Sequence, residues 1–408
     1  MSNRTAVQAT TIGDLAFESK VRADAISESG LRVYGVDRTD GLTPVAKYTS
    51  KNLGRYKVLR PGMFAYNPMR LNIGSIAYCT DKHEVGLVSP DYVVFGCVPG
   101  ELDPDFFSYV IKGPEWRQWT AAAGVGSVRV RIYFRELAKM PITVPPLSEQ
   151  KIIAQILGTL DGKIELNRRM NTTLEAMVRA LFQSWFVDFD PVRAKLDGRK
   201  PAGLGASTAA LFPSHFQESP LGHIPQGWEV TNLDAISNVG SGKRPTGRND
   251  VQSTECSIPL YGGGGQMGFV STSLYENPIL FTGRVGTLGL IFRTADPSWP
   301  SDNTLIVEPQ DDFFDFTYFV LKGFDLVTLN CGSTQPLLTQ TDLKRQQFVL
   351  PPASIVKAFA AIAAPIFQQI TENEKQSRTL TTLCGTLLPK LLSGEISVAN
   401  VEEEFASV

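Results

Sequence analysis

The chain carries the same long sequence pattern twice, and this repeat restricts its fold more than any other feature. "VPPLSEQKIIAQIL" begins at Val144, and "LPPASIVKAFAAIA" begins at Leu350. Aligned at an offset of 206 residues, the match runs without a gap from Gly126 and Gly332 to Leu181 and Leu387, with 14 identical residues over 56 positions. Because the proline pairs and the apolar spacing keep one register over that length, we interpret the repeat as a duplicated structural unit.

Each copy predicts one long amphipathic helix after its proline pair. Apolar residues recur in the first copy at alternating steps of four and three, which is the spacing of a coiled-coil seam. Polar residues interrupt the seam at Asn167 and Asn171 and, in the second copy, at the equivalent Asn373 and Ser377. A buried Asn in such a seam weakens pairing but fixes its register. Pro365 lies inside the second pattern and predicts a kink or a break there.

Two such helices in one chain most simply pair with each other in antiparallel orientation. The alternative is that each helix only covers the core of its own domain. For the antiparallel pair, the predicted contact residues are the seam positions Ile153, Leu157, Leu160, Ile164, Asn167, Asn171, Leu174, Val178 and Leu181 of the first helix and Ile366, Ile370, Asn373, Leu380 and Leu387 of the second.

Weaker repeats precede both helices. "GSIAYC" at Gly74 corresponds to "GTLGLIF" at Gly286, and "FFSYVIKG" at Phe106 resembles "DFTYFVLKG" at Asp315. The first pair is typical of strands and the second of helices. The sequence therefore predicts an α+β fold with two pseudo-symmetric mixed α/β domains, joined by two long helices that form an antiparallel coiled coil. The predicted boundaries are 1–145 for the first domain, 146–190 for the first spacer helix, 191–224 for a Gly-, Pro-, Ala- and Ser-rich connector, 225–350 for the second domain, 351–395 for the second spacer helix and 396–408 for a C-terminal tail.

Composition and charge narrow the functional classes. The net charge of the chain is −2, but residues 1–145 have a net charge of +4 and residues 225–350 one of −5. A general polyanion binder would be basic throughout, so DNA binding by this chain would depend on local basic patches. The five cysteines are scattered along the sequence, which is typical of reduced thiols. No apolar run approaches the roughly 18 residues of a membrane span. The N-terminal sequence lacks a secretory pattern. We therefore expect a cytoplasmic protein with no membrane span.

No catalytic constellation can be assembled from the sequence. Of the three histidines, two lie in the connector without Cys or paired carboxylates nearby. Asp188 and Asp190 in "WFVDFDP" cannot define a metal site alone, and a helix-terminal packing motif is the favoured interpretation. "YGGGGQMG" at Tyr261 fits either a phosphate-binding turn or, as we favour, a turn that passes closely over the sheet. We expect no catalytic residue, no metal ligand and no cofactor bound by this chain.

Polar and basic loops at equivalent points of the two domains supply the candidate DNA-binding residues. Arg reads guanine and Asn or Gln reads adenine in the major groove, while Ser, Thr and Lys hold phosphates. Taken singly, each residue is better explained as a solvated surface group, and only the equivalent placement favours a common function. The candidates are Arg55, Lys57, Arg70, Asn72, Ser127, Arg129 and Arg131 in the first domain and Lys243, Arg244, Arg248, Thr282, Arg284, Ser333, Thr334 and Gln335 in the second.

The run "PLSEQKIIAQILGTLDGKIELNRRMNTTLEAMVRALFQSWFVDFDPV" from Pro146 closely resembles the central region of specificity subunits of Type I restriction–modification systems. Within it, "LDGKIELNRR" and "LFQSWFVDFDP" are highly specific to that family. "PQGWEV", "ILFTGRVGTLG", "GSTQPLLT" and "LLPKLLSGEI" resemble the second half of such subunits, so the resemblance covers nearly the whole chain.

The resemblance implies a non-catalytic subunit whose two target-recognition domains each read one half of a bipartite double-stranded DNA site. The helices would dock two methyltransferase (modification) subunits, which hold S-adenosylmethionine, and restriction/translocase subunits that use ATP and Mg would then join. One alternative is a single-chain DNA methyltransferase or endonuclease, against which the missing catalytic motifs argue. The other is a scaffold whose two domains bind protein partners.

Overall fold

The duplicated pattern of the sequence corresponds to two structural units. The structure is a computed structural model that describes residues 8–25, 30–39, 41–46, 49–123, 131–295, 297–330, 332 and 336–396. The chain divides into Met1–Leu166 with Gln376–Val408, called unit 1, and Asn167–Lys375, called unit 2. Each unit contains one mixed domain and one segment of both long helices. The predicted α+β fold is confirmed.

Unit 1 consists of short strands and helices followed by the first part of a long helix. The strands are β1 (Gln8–Thr11), β2 (Ala16–Ser19), β3 (Arg32–Val33), β4 (Gly35–Asp37), β5 (Gly41–Thr43), β6 (Lys57–Leu59), β7 (Met63–Tyr66), β8 (Ile76–Tyr78), β9 (Gly86–Val88), β10 (Val93–Cys97) and β11 (Pro141–Val144). The helices are α1 (Ile12–Leu15), α2 (Pro104–Val110), α3 (Pro114–Ala122), α4 (Phe134–Leu137) and α5 (Leu147–Phe182), whose residues up to Leu166 belong to this unit.

Unit 2 begins within α5 and ends within the second long helix. After α5, a π-helical turn (Gln183–Val187) leads into α6 (Asp190–Leu196) and α7 (Ala206–Leu211). The strands are β12 (Phe216–Ser219), β13 (Gly222–Pro225), β14 (Glu229–Asn232), β15 (Ser237–Ser241), β16 (Ile258–Gly262), β17 (Gly265–Val270), β18 (Leu280–Gly283), β19 (Ile291–Arg293), β20 (Trp299–Pro300), β21 (Thr304–Pro309) and β22 (Gln347–Leu350). The remaining helices are α8 (Phe314–Gly323), α9 (Gln340–Lys344) and α10 (Ala353–Leu392).

The two domains share one framework. Their central four-stranded sheets have the orders β2-β10-β7-β8 and β15-β21-β18-β19, antiparallel throughout. In each domain a two-stranded pair, β1 with β11 or β14 with β22, comes directly before the long helix. The helices α2 and α8 bury Phe107 and Phe316 in the cores of their units. The strand and helix repeats of the sequence therefore correspond to equivalent elements.

The predicted connector contributes to the core of unit 2. Phe212 and Ile224 are each 2% exposed and pack in the same cluster as Trp185 and Trp228. The Lys195 ammonium also donates to the Phe212 carbonyl oxygen. The Gly, Pro and Ser content predicted only a connector between the domains. Composition does not reveal that a few apolar side chains attach this segment to the core.

Both long helices follow the predicted seam. All 14 predicted contact residues are buried or half-buried, whereas intervening residues such as Lys163 and Arg168 are exposed. In unit 1, Leu387 packs in the same cluster as Ile153 and Leu157. The core cluster of unit 2 holds residues of α5 together with residues of α10. Each helix therefore enters the cores of both units, and the alternative that each covers only its own domain is wrong.

Three asparagines join the helices within unit 2. Asn167 Nδ2 donates to the Asn373 carbonyl oxygen at 3.3 Å, and Asn171 Nδ2 donates to the Ile370 carbonyl oxygen at 3.2 Å. The Asn373 Nδ2 donates in turn to Asn171 Oδ1 at 2.8 Å. Partner numbers fall along α10 as they rise along α5, so the two helices are antiparallel here. Asn167 and Asn373 are also equivalent residues of the repeat.

Of the kink or break predicted at Pro365, the break does not occur. The helix α10 runs without interruption from Ala353 to Leu392. An internal proline removes one backbone hydrogen bond and crowds the preceding turn. Phe359 and Phe367, on either side of the proline, are buried in the core of unit 2 and hold the helix on that core.

One described helix, α10, has the length and composition of a possible membrane span, with a mean hydropathy of 1.4 over an 18-residue window. Its apolar residues Ile355, Val356, Phe359, Ala363 and Phe367 are at most 4% exposed and belong to the core cluster of unit 2. We therefore interpret α10 as a helix that packs on a protein core.

A polar cluster fastens α8 to α5 within unit 2. The Tyr318 hydroxyl donates to Glu175 Oε1 at 3.1 Å, and the Lys322 ammonium donates to the same oxygen at 2.5 Å. Burial acts to raise the pKa of Glu175, but the hydrogen bonds and the charge of Lys322 outweigh it and leave that pKa below its ordinary value. The same partners raise the pKa of Lys322 against the effect of burial.

Because its pKa is lowered by folding, Glu175 stabilises the folded state above about pH 4.3, the ordinary pKa of Glu, and this contribution disappears as the pH falls through the folded-state pKa. Glu175→Gln is expected to lower the free energy of unfolding by about 1 kcal/mol at pH 7, with a difference that narrows below pH 4. Denaturant titrations between pH 7 and pH 3 measure this. Glu229→Gln, which removes an exposed carboxylate from β14, is the matched control. A difference that stays constant over the whole pH range would contradict the role assigned to the ionised carboxylate.

Candidate nucleic-acid interface

The loop between β7 and β8 presents two of the candidate residues in unit 1. Within it, Arg70 N donates to the Asn67 carbonyl oxygen at 2.9 Å, and Ser75 N donates to the Arg70 carbonyl oxygen at 3.0 Å. Leu71 is 1% exposed and anchors the loop in the core. Arg70 and Asn72 on either side of it are exposed. Backbone hydrogen bonds and one apolar anchor therefore hold the loop while both polar side chains face solvent.

A segment distant in sequence lies against this loop. Ile132 N donates to the Pro68 carbonyl oxygen at 2.9 Å, and the Ile132 side chain is 2% exposed. Arg131, which precedes it, is exposed. The structure thus brings Arg131 to the loop that carries Arg70. The candidates Ser127 and Arg129 lie outside the described residues.

Lys57 and Arg55 have different surroundings. The Lys57 ammonium donates to the Tyr92 carbonyl oxygen at 2.6 Å. Burial lowers the pKa of Lys57, although the nearby Glu18 carboxylate acts in the opposite direction. The half-buried amine therefore bonds within the domain, which reduces its suitability as a phosphate ligand. Arg55 is exposed on the turn before β6.

The equivalent loop of unit 2, between β18 and β19, is held in a similar way. Arg284 N donates to the Asn303 carbonyl oxygen at 2.8 Å, and the Arg284 carbonyl oxygen accepts from Leu338 N at 2.9 Å. Gly286 N donates to the Pro336 carbonyl oxygen at 3.0 Å. In both units, then, the loop after the third strand of the central sheet binds the segment that follows the Gly-Ser pair of the repeat. Ser333, Thr334 and Gln335 lie outside the described part of the chain.

The glycines of "YGGGGQMG" permit a close approach to the same loop. A Cβ atom on Gly263 would lie 3.1 Å from the Cα atom of Gly283, and a Cβ atom on Gly283 would lie 1.9 Å from the Thr287 carbonyl oxygen. The turn between β16 and β17 therefore passes against the end of β18 just before Arg284. This contact favours the interpretation of the glycines as a packing device over that of a phosphate-binding turn.

The other candidates of unit 2 differ in exposure. Lys243 and Arg244 are exposed after β15, where Lys243 N donates to the Pro300 carbonyl oxygen at 3.1 Å. Arg248 is exposed but lies 2.8 Å from an Asp250 carboxylate oxygen, which offsets part of its charge. Thr282 requires a correction, because its side chain is 1% exposed inside the central sheet and cannot reach a ligand at the surface. All four residues of β18 are buried, which the sequence did not show.

The structure also contains a groove that the sequence did not predict. It has a volume of about 1430 Å³ and lies in unit 1 between the β7–β8 loop, α2, α3 and α5. Asn72, Tyr109, Lys112 and Asp161 are among the residues that line it. Its charged lining residues have both signs. The sequence carried no signal for it, because the groove depends on how α5 packs beside α2.

The carboxylates of "WFVDFDP" stabilise the end of α5. Ser184 Oγ donates to Asp190 Oδ2 at 2.7 Å, and Gln183 Nε2 donates to Asp188 Oδ1 at 3.0 Å. Phe189 between them has a φ of 55°, a left-handed conformation that its buried ring helps to hold. Over the described residues, no group of three or more His, Cys, Asp or Glu side chains is placed to hold a metal ion. The motif is therefore a helix-terminal packing motif.

A family model and curated relatives match most of this chain. The model, described as the Type I restriction modification DNA specificity domain, matches residues 98–176 and 225–381. The chain is 24% identical to the Type I restriction enzyme HindI specificity subunit of Haemophilus influenzae, over 83% of this chain and 88% of that protein. It is 25% identical to the MjaIX specificity subunit of Methanocaldococcus jannaschii, over 72% of this chain and 69% of that protein.

A solved structure shares the fold. The crystal structure of the Type-I restriction-modification system S subunit from M. genitalium superimposes with a TM-score of 0.60 and 17% sequence identity. The alignment covers 96% of this chain and 97% of that one.

Substitution of the arginines on the two equivalent loops tests most directly whether this surface binds DNA. Arg70→Ala and Arg284→Ala are each expected to weaken binding to a duplex selected from a random pool by the unaltered protein by about 1–3 kcal/mol, because each removes an Arg predicted to read a base. Electrophoretic shift titrations measure the affinity. Arg199→Ala removes an Arg that pairs with Asp197 in the connector, and it serves as the control. Unchanged affinity of both loop variants would remove these loops from the interface.

Proposed function

This chain belongs to the family of Type I restriction–modification DNA specificity subunits, and we propose that its two domains each read one half of a split, asymmetric double-stranded DNA site. Members of this family recognise a DNA target sequence. The proposal adds that the two halves of the target are read by different domains of the chain.

The observation that carries the proposal is one scaffold with two sets of polar side chains on equivalent loops, of which Arg70 and Asn72 are exposed and Arg284 is half-buried. Both domains have the same strand order in the central sheet, and both brace the following loop through backbone hydrogen bonds to a distant segment. The loops themselves differ, since one exposes Arg70 and Asn72 and the other carries Arg284. Equivalent backbones with different polar side chains favour recognition of two different base sequences.

The proposal assigns the long helices a mechanical and a docking role. The paired helices α5 and α10 would determine the distance between the two half-sites. Half-sites on one face of duplex DNA lie one helical turn or a multiple of it apart, and one turn is about 34–36 Å. Two methyltransferase subunits would dock on these helices. Because the net charge of the chain is −2, those partners would also supply many of the phosphate contacts that the assembly needs.

In this proposal the partner subunits catalyse the reactions. The methyltransferase subunits would hold S-adenosylmethionine and methylate adenine, and restriction/translocase subunits would use ATP and Mg. This chain would bind neither cofactor and would act in the cytoplasm, where its DNA target lies. Its own residues would orient the duplex so that the target bases reach the partner active sites.

Mapping of methylated adenines in DNA from cells that carry this chain with its modification subunit tests the proposal. The expected result is methylation within one bipartite sequence, with two defined halves and a spacer of fixed length and any base composition. Cells with the same modification subunit but without this chain are the control. Methylation that continues without the chain, or that follows one uninterrupted motif, would contradict the proposal.

A further inference from the structure

Each recognition domain is attached to α5 by the same small set of groups. In unit 1, the Tyr109 hydroxyl donates to Asp161 Oδ2 at 3.0 Å, and the Lys112 ammonium lies 3.4 Å from the same oxygen. Lys112 also lies over the Tyr109 ring, 4.6 Å from its centroid. The cluster of Tyr318, Lys322 and Glu175 in unit 2 likewise joins a Tyr and a Lys to a carboxylate, with Lys322 4.7 Å from the Tyr318 ring centroid, and Arg179 of α5 lies 3.4 Å from the same Glu175 oxygen.

The two clusters are not simple copies of each other. Lys112 and Lys322 are equivalent residues, since both precede a glycine at the end of the repeated helix sequence. The tyrosines occupy different positions in that sequence, one three and one four residues before the lysine. The two carboxylates are not related by the offset of 206, because Asp161 corresponds to Phe367 and Glu175 to Thr381. Different residues thus produce the same arrangement, and both arrangements attach to α5 rather than one to each long helix.

A polar attachment constrains orientation in a way that apolar packing does not. Apolar contact is non-directional, so a sheet-covering helix can rotate or slide on a long helix at small cost. Hydrogen bonds depend on the angle at donor and acceptor, and a carboxylate that accepts from two donors fixes both donors at once. Each cluster therefore defines the angle at which one domain sits on α5.

We propose that these two clusters are positioning devices that set the orientation of each recognition domain on α5, and with it the length of spacer that the subunit accepts between the half-sites. This inference rests on the proposed function. Adding one base pair moves a half-site by about 3.4 Å along the DNA axis and about 35° around it. A domain held at one angle rejects such a displacement, whereas a domain free to rotate on its helix tolerates it.

The two clusters differ in burial, which predicts an order of effects. The Lys322 and Glu175 side chains are 29% and 33% exposed, whereas those of Lys112 and Asp161 are 55% and 44% exposed. Because water screens an exposed pair more strongly, the cluster of unit 2 holds its domain more firmly. Loss of Glu175 relaxes the spacer requirement more than loss of Asp161.

The test compares methylation rates of the assembled complex on duplexes with the native spacer and with one base pair more or fewer. For Glu175→Gln and Lys322→Met, the preference for the native spacer falls by about fivefold, which corresponds to about 1 kcal/mol. Asp161→Asn gives a smaller fall in the same direction. Lys322→Arg, which keeps the charge and the donors, retains the preference. Arg199→Met removes a charge from a local ion pair with Asp197 and is the matched control.

A purely structural role gives a different result, because a destabilised subunit loses rate on every spacer in the same proportion. An unchanged preference ratio in Glu175→Gln therefore overturns the inference. If that variant does not assemble, Tyr318→Phe removes only one hydroxyl from the cluster, and an unchanged ratio there has the same meaning. The proposed function fails separately, when the unaltered complex shows no bipartite site at all. If the unaltered complex has a strict spacer preference and every cluster variant keeps it, the positioning role of the clusters is wrong. The proposed function is not affected by that result.

Discussion

The structure depends most on the antiparallel contact between α5 and α10, in which three asparagine side chains replace apolar residues. An apolar seam with a seven-residue period can pair in several registers, each offset by a heptad, at similar free energy. An amide that is buried opposite leucine loses its hydrogen bonds, and this costs about 1–3 kcal/mol. Asn171 and Asn373 satisfy each other in one register, so the amides select it.

That register has consequences in both units, because each long helix contributes to both cores. Val178 of α5 is fully buried in unit 2, and Leu391 of α10 is 2% exposed in the core of unit 1. A shift of one helix by a heptad would therefore remove core residues from both units at once. The position of α5 in turn places Asp161 and Glu175 where α2 and α8 can bind them. The β7–β8 and β18–β19 loops are thus held on sheets whose covering helices are attached to a helix of fixed register.

The sequence predicted the parts of the fold that depend on periodicity. All 14 residues that the steps of four and three marked are buried or half-buried, because the period of a helix determines which side chains share a face. Properties that depend on contacts distant in sequence were not predictable. The apolar anchors Phe212 and Ile224 lie in a segment whose composition is typical of a linker, and tertiary packing also keeps α10 helical through Pro365.

The candidate interface was predicted in part for the same reason. Arg70 and Arg284 were identified because they follow equivalent strands, and the structure places both on equivalent braced loops. Thr282 is buried because all four residues of β18 lie in the core, and a short run of residues does not show that a strand is covered on both faces. The Lys–Tyr–carboxylate clusters left no signal in the sequence, since their carboxylates come from non-equivalent positions of α5.

The most direct test of this account is a double-mutant cycle on Asn171 and Asn373, with unfolding free energies measured for the unaltered chain, Asn171→Ala, Asn373→Ala and the double variant. Because the two amides bond each other at 2.8 Å, the account predicts a coupling free energy of about 1 kcal/mol or more. Strictly additive effects of the two substitutions would contradict the claim that these side chains fix the register of the helices.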